Sequence, residues 1–199
     1  MSPTEHTAAA PPAALSAAQI DQALEHARRH QAPIEPLTTT YPGLDVAGAY
    51  AIQRVGLRRR LDAHGVVVGH KIGLTSAAMQ RQLGVEEPDY GYLLADMILH
   101  DPGETPPSTS AAQFCQPRIE PEVAFRLAAP LGGPGITPGD VLAACDPIAP
   151  ALEIVDIQDW RIALADTIAD NASSAAVVLG PWIPLDQVTA PRELTAELI

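Results

Sequence analysis

A chain of 199 residues is long enough for one domain with a real core, and 47% hydrophobic against 18% charged residues is a globular rather than a disordered balance. A formal net charge of −12 leaves no basic face to replace the counterions around nucleic acid, and an anionic lipid surface would repel it. The acidity does not forbid an anionic small-molecule substrate, but it makes a bound cation at such a site more necessary.

In chain order, residues 1–15 (MSPTEHTAAAPPAAL) read as a disordered tail, with neither the basic start nor the apolar run of a secretory signal. Ser16 caps a first helix, SAAQIDQALEHARRH, whose Ile20, Leu24 and Ala27 are spaced for one buried face. A Pro-containing connector, QAPIEPLTTTYPGL, leads to a second helix. That helix is capped by Asp45, carries Tyr50, Ile52, Val55 and Leu61 as apolar positions, and stops at Gly65. Its Arg58–Arg60 run reads as a solvated face. VVVGHKIGL is expected to be a buried strand, and Thr75 or Ser76 to cap a short helix closed by Gly84. EEPDYGYL reads as loop chemistry and DPGETPPSTSAA as a long turn-rich excursion. QPRIEPEVAFRL is a second strand, TPGDVLAAC a helix with Pro at its first position, and PALEIVDI a third strand. DTIADNASSAAVVLG reads as a polar loop running into a fourth. No stretch approaches the roughly 20 apolar residues of a membrane span, and Cys115 and Cys145 are too few for a disulfide scaffold. A cytoplasmic protein with reduced thiols is expected.

The chemistry-bearing residues begin with Glu120 and Glu122. Two apart on a strand, they share one face, with Ile119, Val123 and Phe125 filling the other. Two adjacent like charges on an apolar strand need water or a cation to neutralise them. Glu153 lies within Ala-Leu-Glu-Ile-Val, where an unpaired carboxylate is costly to bury. Three carboxylates from neighbouring strands would suit Mg²⁺ or Mn²⁺ rather than zinc, and the six histidines show no zinc-ligand spacing. Spacing alone leaves a second reading open, in which the pair sits on a solvated edge and Glu153 meets a basic residue. Pro121, between the two glutamates, removes a ladder donor and requires an edge or a bulge there. Lys71, flanked by apolar residues and glycines, either presents its ammonium to a pocket or snorkels from a strand end. Asp89 reads as a turn aspartate on its own, and Asp166 to Ser174 as a polar loop able to donate backbone and hydroxyl hydrogen bonds to a carboxylate or, equally, as a set of Asx and Ser turns.

Taken in order, GHKIGLTSAAMQ, GVEEPDYGYLL, PRIEPEVAF, PALEIVD and DTIADNASS resemble the 2-keto-4-pentenoate (2-hydroxypenta-2,4-dienoate) hydratases, over about Pro33 to Gly180. The resemblance implies an α+β chain with a helical N-terminal segment (16–65). A mixed β-roll catalytic domain (66–199) of the fumarylacetoacetate hydrolase type follows it. That roll is expected to be incomplete, since family members continue past the position of Ile199. The resemblance further implies Mg²⁺ or Mn²⁺ held by Glu120, Glu122 and Glu153. Lys71 and Asp89 become proton-transfer groups, Leu74 lines the pocket, and Ser173 lies in a loop near the substrate. The implied reaction is hydration of 2-hydroxypenta-2,4-dienoate to 4-hydroxy-2-oxopentanoate, in meta-cleavage degradation of aromatic compounds. The expected partners are a small 2-oxo- or 2-hydroxy-dienoic acid and further copies of the chain, with no nucleic acid and no membrane. The alternatives are a related 4-oxalocrotonate decarboxylase and a catalytically silent, shortened family member.

Overall fold

The computed structural model describes residues 15–100, 109–157, 163–188 and 194–195. Nearly all of the expected N-terminal tail and residues 101–108 of the turn-rich excursion lie outside the described residues. Three helices come first: α1 (Ala17–His30), the single turn α2 (Leu37–Thr40) and α3 (Val46–Asp62). Ser16 and Gln19 close a reciprocal capping box on α1, and the Gly48 amide donates to Asp45 Oδ1 at 2.7 Å to start α3. Ile20, Leu24, Leu37, Ala49 and Ile52 form one apolar cluster with Ala165, Ile168 and Ala169. The sequence reading missed α2 inside the connector. It is fixed by distant partners, because Thr38 donates from its amide and its hydroxyl to Asp166 at 2.8 and 2.7 Å.

Two further expectations for this layer need correction. α3 ends before Gly65, with His64 in the left-handed region at φ 67°. Gly65 is needed for closeness instead, since a Cβ there would lie 2.7 Å from the Arg60 carbonyl oxygen. The arginine run is also not simply solvated. Arg59 grips the buried Asp21 through two nitrogens at 2.8 and 3.2 Å and reaches Glu25 at 3.0 Å, while Arg60 pairs with Asp96.

The strands form two sheets. β1 (Val67–Gly73) and β2 (Asp89–Leu94) make an antiparallel ribbon, joined through α4 (Ala77–Leu83), which Ser76 caps and Gly84 closes as expected. β3 (Ile98–His100), β4 (Pro117–Leu127), β5 (Cys145–Asp156) and β6 (Ser174–Leu179) form the second sheet, in the order β3-β6-β5-β4. β3 runs parallel to β6 and the other neighbours are antiparallel, so the sheet is mixed as expected. α5 (Pro138–Ala144) and α6 (Leu164–Ala169) connect its strands.

EEPDYGYL was expected to be loop, yet Asp89–Leu94 is a strand, because Tyr90, Tyr92 and Leu94 pair across to β1. DTIADNASS was expected to be a polar loop, yet it holds most of α6 and a 3₁₀ turn, with Asp166, Ile168, Ala169 and Ser173 buried. β1 is a strand but not a buried one: Val66, Val68 and Ile72 are each more than half exposed, since the ribbon has only two strands. Ile119, Val123 and Phe125 likewise stand exposed on β4 instead of filling a core.

The ribbon docks on the turn that precedes β6. Asn171, at φ 58°, accepts from the Tyr92 amide at 2.8 Å and donates to the Tyr92 carbonyl at 3.0 Å, so one side chain satisfies a strand residue as a neighbouring strand would. Gln53 ties the same region to α3, donating to the Tyr90 carbonyl at 2.8 Å and the Ile168 carbonyl at 3.2 Å. A Cβ at Gly91 would lie 2.5 Å from the Asn171 carbonyl oxygen, whereas one at Gly69 meets only Leu93 at 3.7 Å. Gly91→Ala is therefore expected to cost about 1–3 kcal/mol in urea unfolding and Gly69→Ala about zero. Equal midpoints for the two variants would contradict this docking.

Candidate metal centre and its lysine

β4 is the edge of its sheet, and Pro117 to Phe125 pair with β5 without interruption, Pro121 opposite Leu152. The proline thus sits where an edge strand tolerates a missing N–H, with no bulge, and the two glutamates keep their common face. Glu120 lies directly across from Glu153, and Glu122 across from Ala151. One carboxylate oxygen from each of Glu120, Glu122 and Glu153 falls within 4.8 Å of the others. Glu120 and Glu122 are exposed, while Glu153, on the inner strand β5, is 3% exposed.

The electrostatics of this face are those of a site with charge to spare. Burial pushes the Glu153 carboxyl above the ordinary carboxylate range, and Lys71 opposes that shift without cancelling it. Glu122 is exposed as a residue, but its carboxyl is partly shielded from water by its surroundings, and this shielding first, then the negative charge of Glu153, raises it too. Glu153 Oε2 sits 3.1 Å from Lys71 Nζ; among the described residues its other oxygen is buried without a well-formed hydrogen bond, although the nearby Ser174 hydroxyl helps to hold the carboxylate in its charged form. Three carboxylates that each bring an oxygen within reach of the others, the one on the inner strand buried, are a donor set that fits a hard divalent cation.

Lys71 is the only lysine in the sequence; the other basic residues among the 12 are arginines. It crosses from the ribbon to the main sheet to meet Glu153, with its side chain about one-tenth exposed. Asp89, which pairs with Gly73 at the end of the ribbon, is buried and not a turn residue. A Cβ on Gly73 would collide with Asp89 Oδ1 and lie 3.4 Å from Lys71 Cε, so the glycine is the gap that brings the two side chains together. Among the described residues Asp89 Oδ1 has no hydrogen-bond partner, and Oδ2 accepts from the Thr167 hydroxyl at 3.2 Å.

The remaining expected residues are less central. Leu74 follows β1 directly, at φ 56°, and its carbonyl accepts from Gln80 Nε2 at 2.8 Å. Ser173 is buried at φ 58°, and with Thr167, Leu24, Ile34, Leu37 and Ile157 it lines a small cleft beneath α1 and α2. Among the described residues its hydroxyl makes no recorded contact with the three carboxylates. Gly73, Thr167 and Asn171 fall within segments that the sequence singled out, but the sequence assigned none of them a role of its own. The one signal available in composition was the solitary lysine.

The overall fold recurs in a solved structure. The 4-oxalocrotonate decarboxylase from Pseudomonas putida G7, complexed with magnesium and adipate, superposes with a TM-score of 0.80 at 32% identity. The match covers 88% of this chain and 67% of that one. The same enzyme complexed with calcium and acetate gives the same values. This is the fumarylacetoacetate hydrolase-like fold.

Among curated relatives, a 2-hydroxypent-2,4-dienoate hydratase of Pseudomonas putida is 43% identical over 178 residues, covering 88% of this chain and 77% of the relative. A 2-keto-4-pentenoate hydratase of Paraburkholderia xenovorans strain LB400 is 46% identical over 180 residues, 89% of this chain and 64% of the relative. The 2-oxo-hept-4-ene-1,7-dioate hydratase of Escherichia coli is 42% identical over 169 residues, and this chain spans 62% of its length. No protein-family model matches. The chain belongs to the 2-keto-4-pentenoate hydratase family. No helix among the described residues is long and apolar enough to cross a membrane.

The raised carboxyl of Glu153 fixes the sign of a pH effect in metal-free protein. A folded-state value above the reference of 4.5 means the folded chain binds the proton more tightly. The stability this contributes is full below that reference and is lost as pH rises through the folded value. The melting temperature of Glu153→Gln minus that of wild type is therefore expected to grow from about pH 4 to about pH 8. A difference that is flat across the range would contradict the assignment.

Proposed function

We propose that this chain hydrates a small 2-hydroxy-dienoic acid, with 2-hydroxypenta-2,4-dienoate giving 4-hydroxy-2-oxopentanoate. The observation that carries the reading is the face on which Glu120, Glu122 and Glu153 converge beside Lys71, with Asp89 next to it. The family supports the choice of reaction, since the relatives are named hydratases of such acids. A divalent cation bound by the three carboxylates, Mg²⁺ or Mn²⁺, would supply Lewis acidity towards the substrate carboxylate and the oxygen at C2.

The chain's own groups do the rest. Hydration requires the enol proton to leave the C2 oxygen and a proton to arrive at C5, giving the 2-oxo-3-enoate. Water then adds hydroxyl at C4 and a proton at C3. Asp89, with one oxygen free of partners, is suited to accept and return such a proton. Lys71, the only lysine in the sequence, is suited to hold a positive charge against the developing oxyanion. Burial of Asp89 and Glu153 keeps these exchanges away from bulk water.

A decarboxylase is the second reading, favoured by the superposition on the Pseudomonas putida G7 enzyme. The two separate by assay. Purified protein with Mn²⁺ is expected to consume 2-hydroxypenta-2,4-dienoate, to lose that activity on chelation, and to lose about 100-fold or more in Glu122→Gln. Release of CO₂ from 2-oxohex-3-enedioate without consumption of the dienoate would replace the hydratase with the decarboxylase. Equal turnover by wild type and Glu122→Gln would remove the metal role.

A further inference from the structure

Among the described residues the Asp89 carboxylate accepts one side-chain hydrogen bond. Its Oδ1 lies over Gly73, buried and unpartnered, and its Oδ2 has a single recorded hydrogen bond, from Thr167 Oγ1 at 3.2 Å. That hydroxyl has a second acceptor within reach, the Leu164 carbonyl at 3.1 Å, one turn back along α6. A threonine hydroxyl carries one proton and two lone pairs, so it donates to one of the two oxygens at a time.

The consequence depends on which form Asp89 takes. Against an ionised carboxylate, Thr167 donates to Oδ2. Against a protonated carboxyl, its oxygen accepts the acid proton and its own proton turns to the Leu164 carbonyl. No heavy atom has to move for the exchange, and neither form leaves a buried polar group unpaired on that side.

The platform beneath is rigid enough for the exchange to matter. Ile168 is 1% exposed, Asp166 takes both bonds from Thr38, and Gln53 spans the Ile168 and Tyr90 carbonyls, tying α6 to the ribbon that carries Asp89. We propose that Thr167 is a positioning residue for the hydration, a hydroxyl rotor that keeps the Asp89 carboxyl in one place through both of its protonation states and leaves Oδ1 for the substrate. The proposal rests on the reading of Asp89 as the proton-carrying group.

The test pairs Thr167→Val, which keeps the shape and removes the hydroxyl, with Thr167→Ser, which keeps the hydroxyl. In Mn²⁺-loaded protein the valine variant is expected to lose about 10- to 100-fold in kcat with KM within about twofold. The serine variant is expected to recover most of the loss. In an Asp89→Asn background, Thr167→Val is expected to cost nothing further, since its effect passes through Asp89. An unchanged kcat in the valine variant overturns the proposal, as does a loss that serine fails to rescue or one that persists in full beside Asp89→Asn. Crystal structures of wild type and the valine variant give a readout without activity, with the Asp89 carboxyl expected to rotate away from α6 in the variant. An Asp89 carboxyl in the same place in both overturns the proposal even if no dienoate is turned over. Wild type that turns over no dienoate, or Asp89→Asn with full activity, counts against the functional reading instead, and the crystallographic comparison still decides the positioning claim.

Discussion

Glu153 places a charge on an inner strand where 3% of its residue surface meets solvent. A carboxylate in that position is costly unless its oxygens are compensated, and the chain compensates one of them, through Lys71 at 3.1 Å. Among the described residues the other has no well-formed hydrogen bond, only the nearby Ser174 hydroxyl. Much of the molecule can be understood as the support for this half-satisfied group. β4 brings Glu120 into register opposite it, the proline edge holds that register, and the ribbon delivers the only lysine in the chain across the gap.

The support extends outward by side chains that take the place of missing backbone partners. Asn171 pairs with both polar groups of Tyr92, Gln53 spans two carbonyls on different elements, and Asp166 receives two bonds from Thr38. Asp156 does the same for β4, accepting from the Cys115 and Gln116 amides at 2.9 and 2.7 Å just before that strand begins. Each of these is a buried or half-buried polar group whose loss would leave a donor or acceptor unpaired, so they act on geometry at the site without touching it.

This division explains what the sequence could reveal. The two-residue alternation of Glu120 and Glu122 and the isolated Glu153 in an apolar run were readable, because strand periodicity is local. So were Ser16 and Asp45 as helix caps, and Thr75 or Ser76 as the alternatives for a third, where Ser76 is the cap, for the same reason. Asp89 was not. Glu-Pro-Asp-Tyr-Gly has the chemistry of a turn, and only pairing with β1 makes it a buried strand end. Thr167 and Asn171 were hidden for a different reason. Their partners lie 78 and 79 residues away, and a Thr or Asn in a polar run looks the same whether it bonds to a neighbour or to a distant strand. The exposure of Val66, Val68, Ile119 and Phe125 was also invisible, since apolar composition marks a strand but not what covers it.

The account stands or falls on the three carboxylates acting as one cation site. Calorimetric titration of Mn²⁺ into metal-free protein measures that directly, with wild type compared to Glu120→Gln, Glu122→Gln and Glu153→Gln. One saturable site per chain in wild type, weakened at least about 100-fold by each substitution, is the predicted result. Binding that is absent in the folded wild type, or that survives all three substitutions, would contradict it.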